Sequence, residues 1–163
     1  MRLPRIKGEG LCTYGCYSRA VDGRSIFSVA GAGAKKFLLI MARKAAFMGI
    51  RILGIFLMAD GFFLLCQVDH SSVKTVLKRI GAYYGMDHKR ELVRKFRAVT
   101  DPAQRKELIA RLLEPYRRRM NDVSILMKEG KGEFAQGYNR THGRTGVLWA
   151  ERFKSVLLEA GHR

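Results

Sequence analysis

The pattern of hydrophobic and polar positions along the chain predicts four strands. Two apolar stretches, Ile50–Met58 and Phe62–Val68, flank Asp60-Gly61, which is typical of a hairpin turn. Both arms are apolar enough to predict central strands covered on one face by helices. Leu11–Arg19 predicts an earlier strand, and the partly alternating stretch Phe153–Leu158 predicts the last one.

Helical periodicity accounts for most of the remaining chain. Between residues 34 and 48 apolar side chains recur every three or four positions, and Gly49 predicts the end of that helix. Ser71 or Ser72 predicts the cap of a second helix, Asp101-Pro102 opens another, and Val123–Tyr138 predicts a further one. Strands at both ends of a helix-rich chain predict an α+β fold, in which helices pack on one side of an antiparallel sheet.

The chain is strongly basic. Its 163 residues fit one domain, and 31 Lys and Arg against 14 Asp and Glu give a net charge of +17. Residues 74–119 alone hold 14 basic and 5 acidic side chains, a net charge of +9. Such an excess favours a polyanionic partner, most often nucleic acid, whose phosphates Lys and Arg contact. Three cysteines, an odd number, argue against a disulfide framework and favour a reducing cytoplasm.

Membrane and metal functions find little support in the sequence. The apolar stretch 52–68 is shorter than the roughly 20 residues that a spanning helix needs, and Asp60 interrupts it. The first seven residues carry charge but no apolar stretch behind it, so they do not form a signal peptide. Cys12 and Cys16 would lie about 13 Å apart along a strand, too far to share a zinc ion. The four histidines are scattered, so we expect no metal site.

The most specific motif lies in the C-terminal third of the chain. It comprises Tyr138-Asn139-Arg140-Thr141-His142-Gly143-Arg144-Thr145-Gly146-Val147-Leu148-Trp149, followed by Glu151-Arg152-Phe153-Lys154-Ser155. This block resembles the signature of the REP-associated tyrosine transposases, bacterial relatives of the single-strand insertion-sequence transposases in the HUH superfamily. The opening Leu3-Pro4-Arg5, the strand through Tyr17-Ser18-Arg19 and the hairpin at 50–65 are similar to that family as well. The resemblance thus covers most of the chain.

The resemblance implies a fold and a chemistry. The fold is a ferredoxin-like antiparallel sheet, here a single transposase-like domain over residues 1–163 with a helical insertion at about 71–122. Members cut and rejoin single-stranded DNA beside short hairpins, and the wider superfamily is usually dimeric. Two histidines at positions i and i+2 of a strand hold Mg²⁺ or Mn²⁺ against the phosphate. A tyrosine on a later helix attacks phosphorus and forms a covalent phosphotyrosine.

The chain departs from the family at the catalytic positions. Gly61 and Phe63 stand where the two histidines belong, and Phe134 stands at the nucleophile. The resemblance therefore implies a DNA-binding protein that needs no cofactor and no longer cuts DNA. Tyr138 lies one helical turn from Phe134 and is the weak substitute nucleophile, although a packing or base-stacking role is favoured. On this alignment Gly61→His, Phe63→His and Phe134→Tyr together are expected to rebuild the site.

The basic residues of the C-terminal block are the candidates for DNA contacts. They are Arg140, His142, Arg144, Arg152 and Lys154. Arg152 and Lys154 are expected to share one face of the last strand, and Trp149 to be a core anchor beneath the basic loop. Three glycines at 130, 132 and 137 are expected to weaken their helix by about 1 kcal/mol each.

Three alternatives stay open at this point. The first is an active transposase that uses displaced residues. The second is an RNA-binding ferredoxin-like module, which is disfavoured because Tyr14 and Tyr17 lie on opposite faces of their strand. The third is an unstable remnant of a transposase gene, since the missing catalytic residues and the helix glycines fit a degenerate copy.

Overall fold

The computed structural model describes residues 10–27, 31–68 and 73–161, which form four strands and five α-helices. A single 3₁₀ turn, Val21–Gly23, follows the first strand. The elements in chain order are β1 (Leu11–Arg19), α1 (Ala32–Met48), β2 (Ile50–Met58), β3 (Gly61–Val68), α2 (Val73–Tyr84), α3 (Met86–Ala98), α4 (Pro102–Arg117), α5 (Val123–Thr141) and β4 (Lys154–Gly161). The predicted Ser71 or Ser72 cap and the Leu3-Pro4-Arg5 opening lie outside the described residues.

The sheet is antiparallel throughout, with the strand order β2-β3-β1-β4. Taken with α1 and α5, the order β1-α1-β2-β3-α5-β4 is the βαββαβ arrangement of a ferredoxin-like fold. Helices α2, α3 and α4 are inserted in the sequence between β3 and α5. The predicted α+β fold is therefore confirmed. The prediction of two central hairpin strands is half wrong, because β3 is central whereas β2 forms an edge of the sheet.

Local sequence signals explain where several helices begin and end. Gly49 ends α1 in the left-handed region, at φ 73°, where a glycine avoids the clash that a Cβ would bring. Asp101 caps α4 by accepting a hydrogen bond from the backbone N–H of Gln104 at 2.7 Å. Asp122 caps α5 in the same way, accepting from the backbone N–H of Ser124 at 2.7 Å.

In the part of the chain that the structure describes, no helix combines the length and apolarity that crossing a bilayer requires.

An aromatic cluster joins the sheet to α1, α5 and the segment before β4. Phe37 of α1 is fully buried, and its ring centroid lies 4.6 Å from that of Phe62 and 5.2 Å from that of Phe134. Trp149 contacts the same three rings at 5.6–6.2 Å. Edge-to-face and tilted contacts at such distances add to the free energy gained by burying the rings. The core therefore lies between one face of the sheet and the helices.

The opposite face of the sheet carries no helix of the described chain, and we call it the uncovered face. Because side chains alternate along a strand, residues paired across neighbouring strands share a face. Phe63 pairs with both Tyr17 and Phe56, whereas Phe62 points into the core. The described side chains of the uncovered face include Tyr17, Arg19, Arg51, Phe56, Met58, Phe63, Leu65, Gln67, Lys154, Val156 and Leu158.

One of the three glycines in α5 is a packing position. A Cβ at Gly130 would overlap Sδ of the buried Met41 of α1, so this glycine allows α1 and α5 to approach closely. A Cβ at Gly137 would lie 2.8 Å from Nζ of Lys36, but this is the flexible end of an exposed side chain and can move away. A Cβ at Gly132 would meet nothing within 4 Å. The expectation that all three glycines simply weaken the helix is thus wrong for Gly130.

We predict opposite effects for two alanine substitutions in α5. Gly132→Ala raises the free energy of unfolding by about 1 kcal/mol, because alanine favours the helix and has room. Gly130→Ala lowers it by about 1–3 kcal/mol, because its methyl group overpacks the core against Met41. Urea unfolding followed by circular dichroism measures both. Equal stabilisation by the two variants would show that α1 and α5 are not packed through Gly130.

Candidate nucleic-acid interface

The predicted signature block folds into the end of α5 and a compact loop over residues 142–153, which we call the basic loop. The side chain of Asn139 donates a hydrogen bond to the carbonyl of Gly146 at 2.9 Å. The backbone N–H of Arg144 donates to the carbonyl of Asn139 at 2.8 Å. Gly143 and Gly146 have φ values of 59° and 87°, which glycine adopts without strain. The spacing of asparagine and glycines in the motif therefore sets the shape of this loop.

Trp149 anchors the basic loop to the core, as predicted. Its indole Nε1 donates to the carbonyl of Lys131 at 3.0 Å, and the side chain is buried. The ammonium of Lys131 lies over the Trp149 ring, 5.2 Å from its centroid, and donates to the carbonyl of Glu151 at 3.1 Å. Backbone hydrogen bonds from Val21 to Leu148 and from Ala150 to Arg19, both 3.0 Å, attach the same segment to the end of β1.

The predicted DNA-contacting residues lie at the end of α5, in the basic loop and at the start of β4. Arg140, His142 and Arg152 are exposed, and none forms an ion pair with a described residue. Arg144 is half-buried, and its Nη1 is a buried donor without a hydrogen-bond partner in the structure. Lys154 is exposed, and its ammonium lies 3.6 Å from the Glu151 carboxylate.

The prediction that Arg152 and Lys154 share a strand face is wrong. Strand β4 begins at Lys154, so Arg152 belongs to the basic loop that precedes it. Phe153 is buried between them and fixes where the strand starts. Lys154 pairs with Tyr17 of β1 and therefore lies on the uncovered face of the sheet.

A groove of about 550 Å³ lies between the start of α1 and the end of α5. The ring of Tyr138 stacks on the imidazole of His142, with centroids 3.9 Å apart and planes 18° from parallel. The His142 Nδ1 lies 2.8 Å from the carbonyl of Tyr138; because a carbonyl only accepts, Nδ1 carries the proton. Lys36 lines the same groove, a residue that sequence reasoning missed although Lys35-Lys36 stands out as a basic pair.

The residues at the family's catalytic positions do not converge on one site. Gly61 has no room for a side chain, because a Cβ would overlap the carbonyl oxygen of Ser18 and lie 3.2 Å from the Cα of Arg19. Its φ is not positive, so the close approach of β1, and not a left-handed turn, is the reason for glycine here. Phe63 lies on the uncovered face, whereas Phe134 is buried in the aromatic cluster on the other side. The expected rebuilding of a site by three substitutions at these positions is therefore wrong for this backbone.

Asp60, the carboxylate nearest to that position, is held by an arginine. Its Oδ2 accepts two hydrogen bonds from Arg19, from Nε at 2.9 Å and Nη2 at 2.5 Å. This pairing supports its structural role in the hairpin turn.

Over residues 10–27, 31–68 and 73–161, the structure contains no group of three or more His, Cys, Asp and Glu side chains that could hold a metal ion.

Acidic side chains of α5 are engaged inside the protein by cations from other elements. Arg119 donates to both oxygens of Glu129, at 2.9 and 2.8 Å, and to the hydroxyl of Tyr84. The buried ammonium of Lys44 lies 2.9 Å from Glu133 and 3.4 Å from Glu129. Burial acts to raise the pKa of Glu129, but the hydrogen bond and charge of Arg119, with Lys44, outweigh it and lower the pKa below its ordinary value.

No protein-family model matches the chain, and no curated protein matches it. A function must therefore be argued from the residues and geometry of the chain itself.

The network around Glu129 predicts an acid-sensitive stability. A carboxylate whose pKa is lowered in the folded protein stabilises it above the unfolded pKa of about 4.3, and that contribution is lost as pH falls through the lower folded pKa. Glu133 acts in the same direction, because Lys44 and Arg43 lower its pKa against the effect of burial. The melting temperature is therefore expected to fall as pH decreases below about 4.3.

Two variants check the source of that dependence. Glu129→Gln lowers the melting temperature at pH 7 and makes its decrease in acid shallower, since the carboxylate is gone. Glu107→Gln is the matched control, because Glu107 is exposed and forms no ion pair with a described residue. Identical acid profiles for wild type and Glu129→Gln would contradict the assignment.

Proposed function

We propose that the chain is a nucleic-acid-binding protein of the REP-associated, HUH transposase type that binds single-stranded or hairpin DNA and does not cut it. The observation that carries this proposal is the state of the basic loop and of the last turn of α5 that leads into it. Arg140 and Arg152 are exposed and unpaired among the described residues, while Trp149, Lys131 and Asn139 fix the backbone that bears them. Cations on a fixed backbone can contact phosphates without a large cost for ordering the loop.

The distribution of charge supports a polyanionic ligand. Most acidic side chains with a described position are already engaged, as N-caps at Asp101 and Asp122 or in ion pairs such as those of Glu129 and Glu133. The net charge of +17 therefore remains largely on exposed Lys and Arg. Neutralising phosphates with such residues releases counterions, which favours binding and makes it dependent on salt.

The groove between α1 and α5 favours a nucleic acid with unpaired bases at an end or in a loop. Tyr138 and His142 offer stacked rings, and Lys36 adds a cation beside them. Bases in hairpin loops and single strands are free to stack on such rings, whereas bases inside a duplex are not. A location in the cytoplasm, where such DNA is accessible, and a homodimer like those of the wider superfamily belong to the same proposal.

The loss of cutting is supported by what occupies the family's catalytic positions. Gly61 admits no imidazole, and Phe134 provides no hydroxyl and is buried among three other aromatic rings. One observation favours the alternative of an active enzyme, since the hydroxyl-bearing Tyr138 lines the groove together with Lys36. An adduct assay decides between the two.

We predict a strong salt dependence of binding to a single-stranded hairpin oligonucleotide. Arg140→Ala with Arg152→Ala weakens binding at low salt and reduces the slope of log K against log [salt] by about 1.4, at about 0.7 per lost phosphate contact. Fluorescence anisotropy over a range of NaCl concentrations measures the slope. Duplex DNA and an RNA hairpin of the same sequence are the comparison ligands, and tighter binding of the RNA would favour the RNA-binding alternative.

The control for this experiment removes the same charge elsewhere. Arg90→Ala with Arg118→Ala also removes two arginines, but these are exposed on α3 and directly after α4, and they are paired with Asp87 and Glu114. Their loss lowers the net charge without touching the basic loop. Equal slopes for the two double variants would place the contacts outside the loop.

We predict that the wild-type protein forms no covalent adduct with a labelled hairpin oligonucleotide, with or without Mn²⁺. The physical reason is that no tyrosine occupies the family's nucleophile position and no histidine pair occupies the ligand position. Denaturing gel electrophoresis detects the adduct. A metal-dependent adduct that disappears in Tyr138→Phe would establish the alternative, an active transposase with a displaced nucleophile.

A further inference from the structure

The uncovered face of the sheet presents aromatic rings on three adjacent strands. Tyr17 of β1 pairs with Phe63 of β3, which in turn pairs with Phe56 of β2. The ring centroids of Phe56 and Phe63 lie 6.3 Å apart. Tyr14 points into the core and therefore does not lie on this face. The three rings of the uncovered face do not depend on Tyr14, although Tyr14 and Tyr17 point to opposite sides of β1.

Gly15 allows the ring of Phe63 to lie across β1. A Cβ at Gly15 would sit 2.9 Å from Cζ of Phe63 and 3.5 Å from Cδ1 of Leu158. Any larger residue at this position would push the ring away from the sheet. The absence of a side chain at Gly15 thus creates a flat central region, and the more exposed Phe56, with 63% of its surface accessible, borders it.

The charge around this face is positive. Arg51 on the β2 edge and Lys154 on the β4 edge are both exposed. The Lys154 ammonium lies 3.6 Å from the carboxylate of Glu151, and Arg19 lies on the same face with its charge paired to Asp60. None of the strand side chains that the structure places is acidic. The edge strands are separated by three strand spacings, about 14 Å in all, so cations stand on both sides of the aromatic region.

We propose that the uncovered face binds single-stranded nucleic acid, with bases stacked on Phe56 and Phe63 and phosphates near Arg51 and Lys154. Every base has a π-face, so stacking on aromatic rings combined with basic residues binds single strands with little dependence on sequence. This inference rests on the proposed function in one respect, that the chain binds nucleic acid, but it concerns a surface on the other side of the sheet from the groove of Tyr138 and His142.

Charge complementarity favours this ligand over a second copy of the chain. Two copies that joined these faces would bring two net charges of +17 together, with Arg51 and Lys154 at the borders of the contact. Like charges at an interface oppose association, whereas a polyanion neutralises them. The apolar residues Val156 and Leu158 then provide contact area beside the rings.

Phe56→Trp gives the proposed contact a fluorescence signal. The chain has one tryptophan, Trp149, which is buried, so an indole at position 56 adds an exposed emitter on the uncovered face. Titration with oligo(dT) or oligo(rU) is expected to quench this added emission, because a base stacks on the indole. An abasic oligonucleotide of equal length carries the same phosphates and is expected to quench it little. A DNA oligomer that quenches more than the RNA oligomer identifies DNA as the ligand, and the reverse identifies RNA.

A matched control places the indole elsewhere on the surface. Leu39→Trp adds one to α1, where Leu39 is 71% exposed on the helical side of the protein. Its emission is expected to change little with any oligonucleotide. Equal quenching at positions 39 and 56 would overturn the proposal, as would equal quenching by abasic and base-containing strands. Emission from position 56 that is already shifted to the blue in the free protein would also overturn it, because the face would then be covered. If dilution removes the blue shift, the occupant is a second copy of the chain. If dilution does not remove it, the occupant is another part of the same chain.

Affinity measurements separate this inference from the proposed function. Phe56→Leu keeps an apolar side chain and is expected to weaken binding of oligo(dT) about fivefold or more, while leaving abasic binding unchanged. If wild type binds DNA and Phe56→Leu binds equally well, the inference fails and the proposed function stands. If Arg140→Ala with Arg152→Ala binds normally but Phe56→Leu does not, the sheet is the binding surface and the basic loop is not. If wild type binds the hairpin but no single strand, the inference fails and the proposed function stands; if it binds neither, both fail.

Discussion

The packing of aromatic rings around Phe37 is the constraint on which the other features of the structure depend. Phe37 of α1 contacts Phe62 from the sheet, Phe134 from α5 and Trp149 from the segment before β4. These four rings join elements that are far apart in the chain, and they determine where the basic loop can lie. Trp149 is held from both sides, by the rings and by the carbonyl of Lys131, so the exposed Arg152 of the loop projects from a fixed backbone.

The same constraint accounts for the residues at the family's catalytic positions. Phe134 belongs to the cluster, and its buried ring packs against Phe27, Phe37 and Trp149. Gly61 lies against the backbone of β1, where any side chain would push the two central strands apart. Both positions thus serve packing in this chain. In the proposed function, the two residues that stand at the catalytic positions are residues that pack the core and the sheet.

Much of the fold could be predicted from the sequence, because its signals are local. Alternating and periodic apolar residues located the strands and the described helices other than α3, and Gly49, Asp101 and the Asp60-Gly61 turn marked several boundaries. Properties that depend on distant neighbours could not be predicted. The sequence around Gly130 does not contain Met41, and that around Gly61 does not contain Ser18, so the reason for either glycine became visible only in the folded chain. The placement of Phe63 and Phe134 on opposite sides of the sheet depended in the same way on strand order and register.

The position of β1 in the sheet has a consequence for how the protein is made. This strand lies between β3 and β4, yet β4 begins at residue 154, 135 residues after β1 ends at residue 19. During synthesis β3 can pair with one edge of β1 early, while the other edge keeps its N–H and C=O groups unpaired until the last strand emerges. Exposed edges of apolar strands readily pair with other chains. A nascent or prematurely ended chain is therefore expected to need protection by chaperones at the edge of β1, until β4 pairs with that edge.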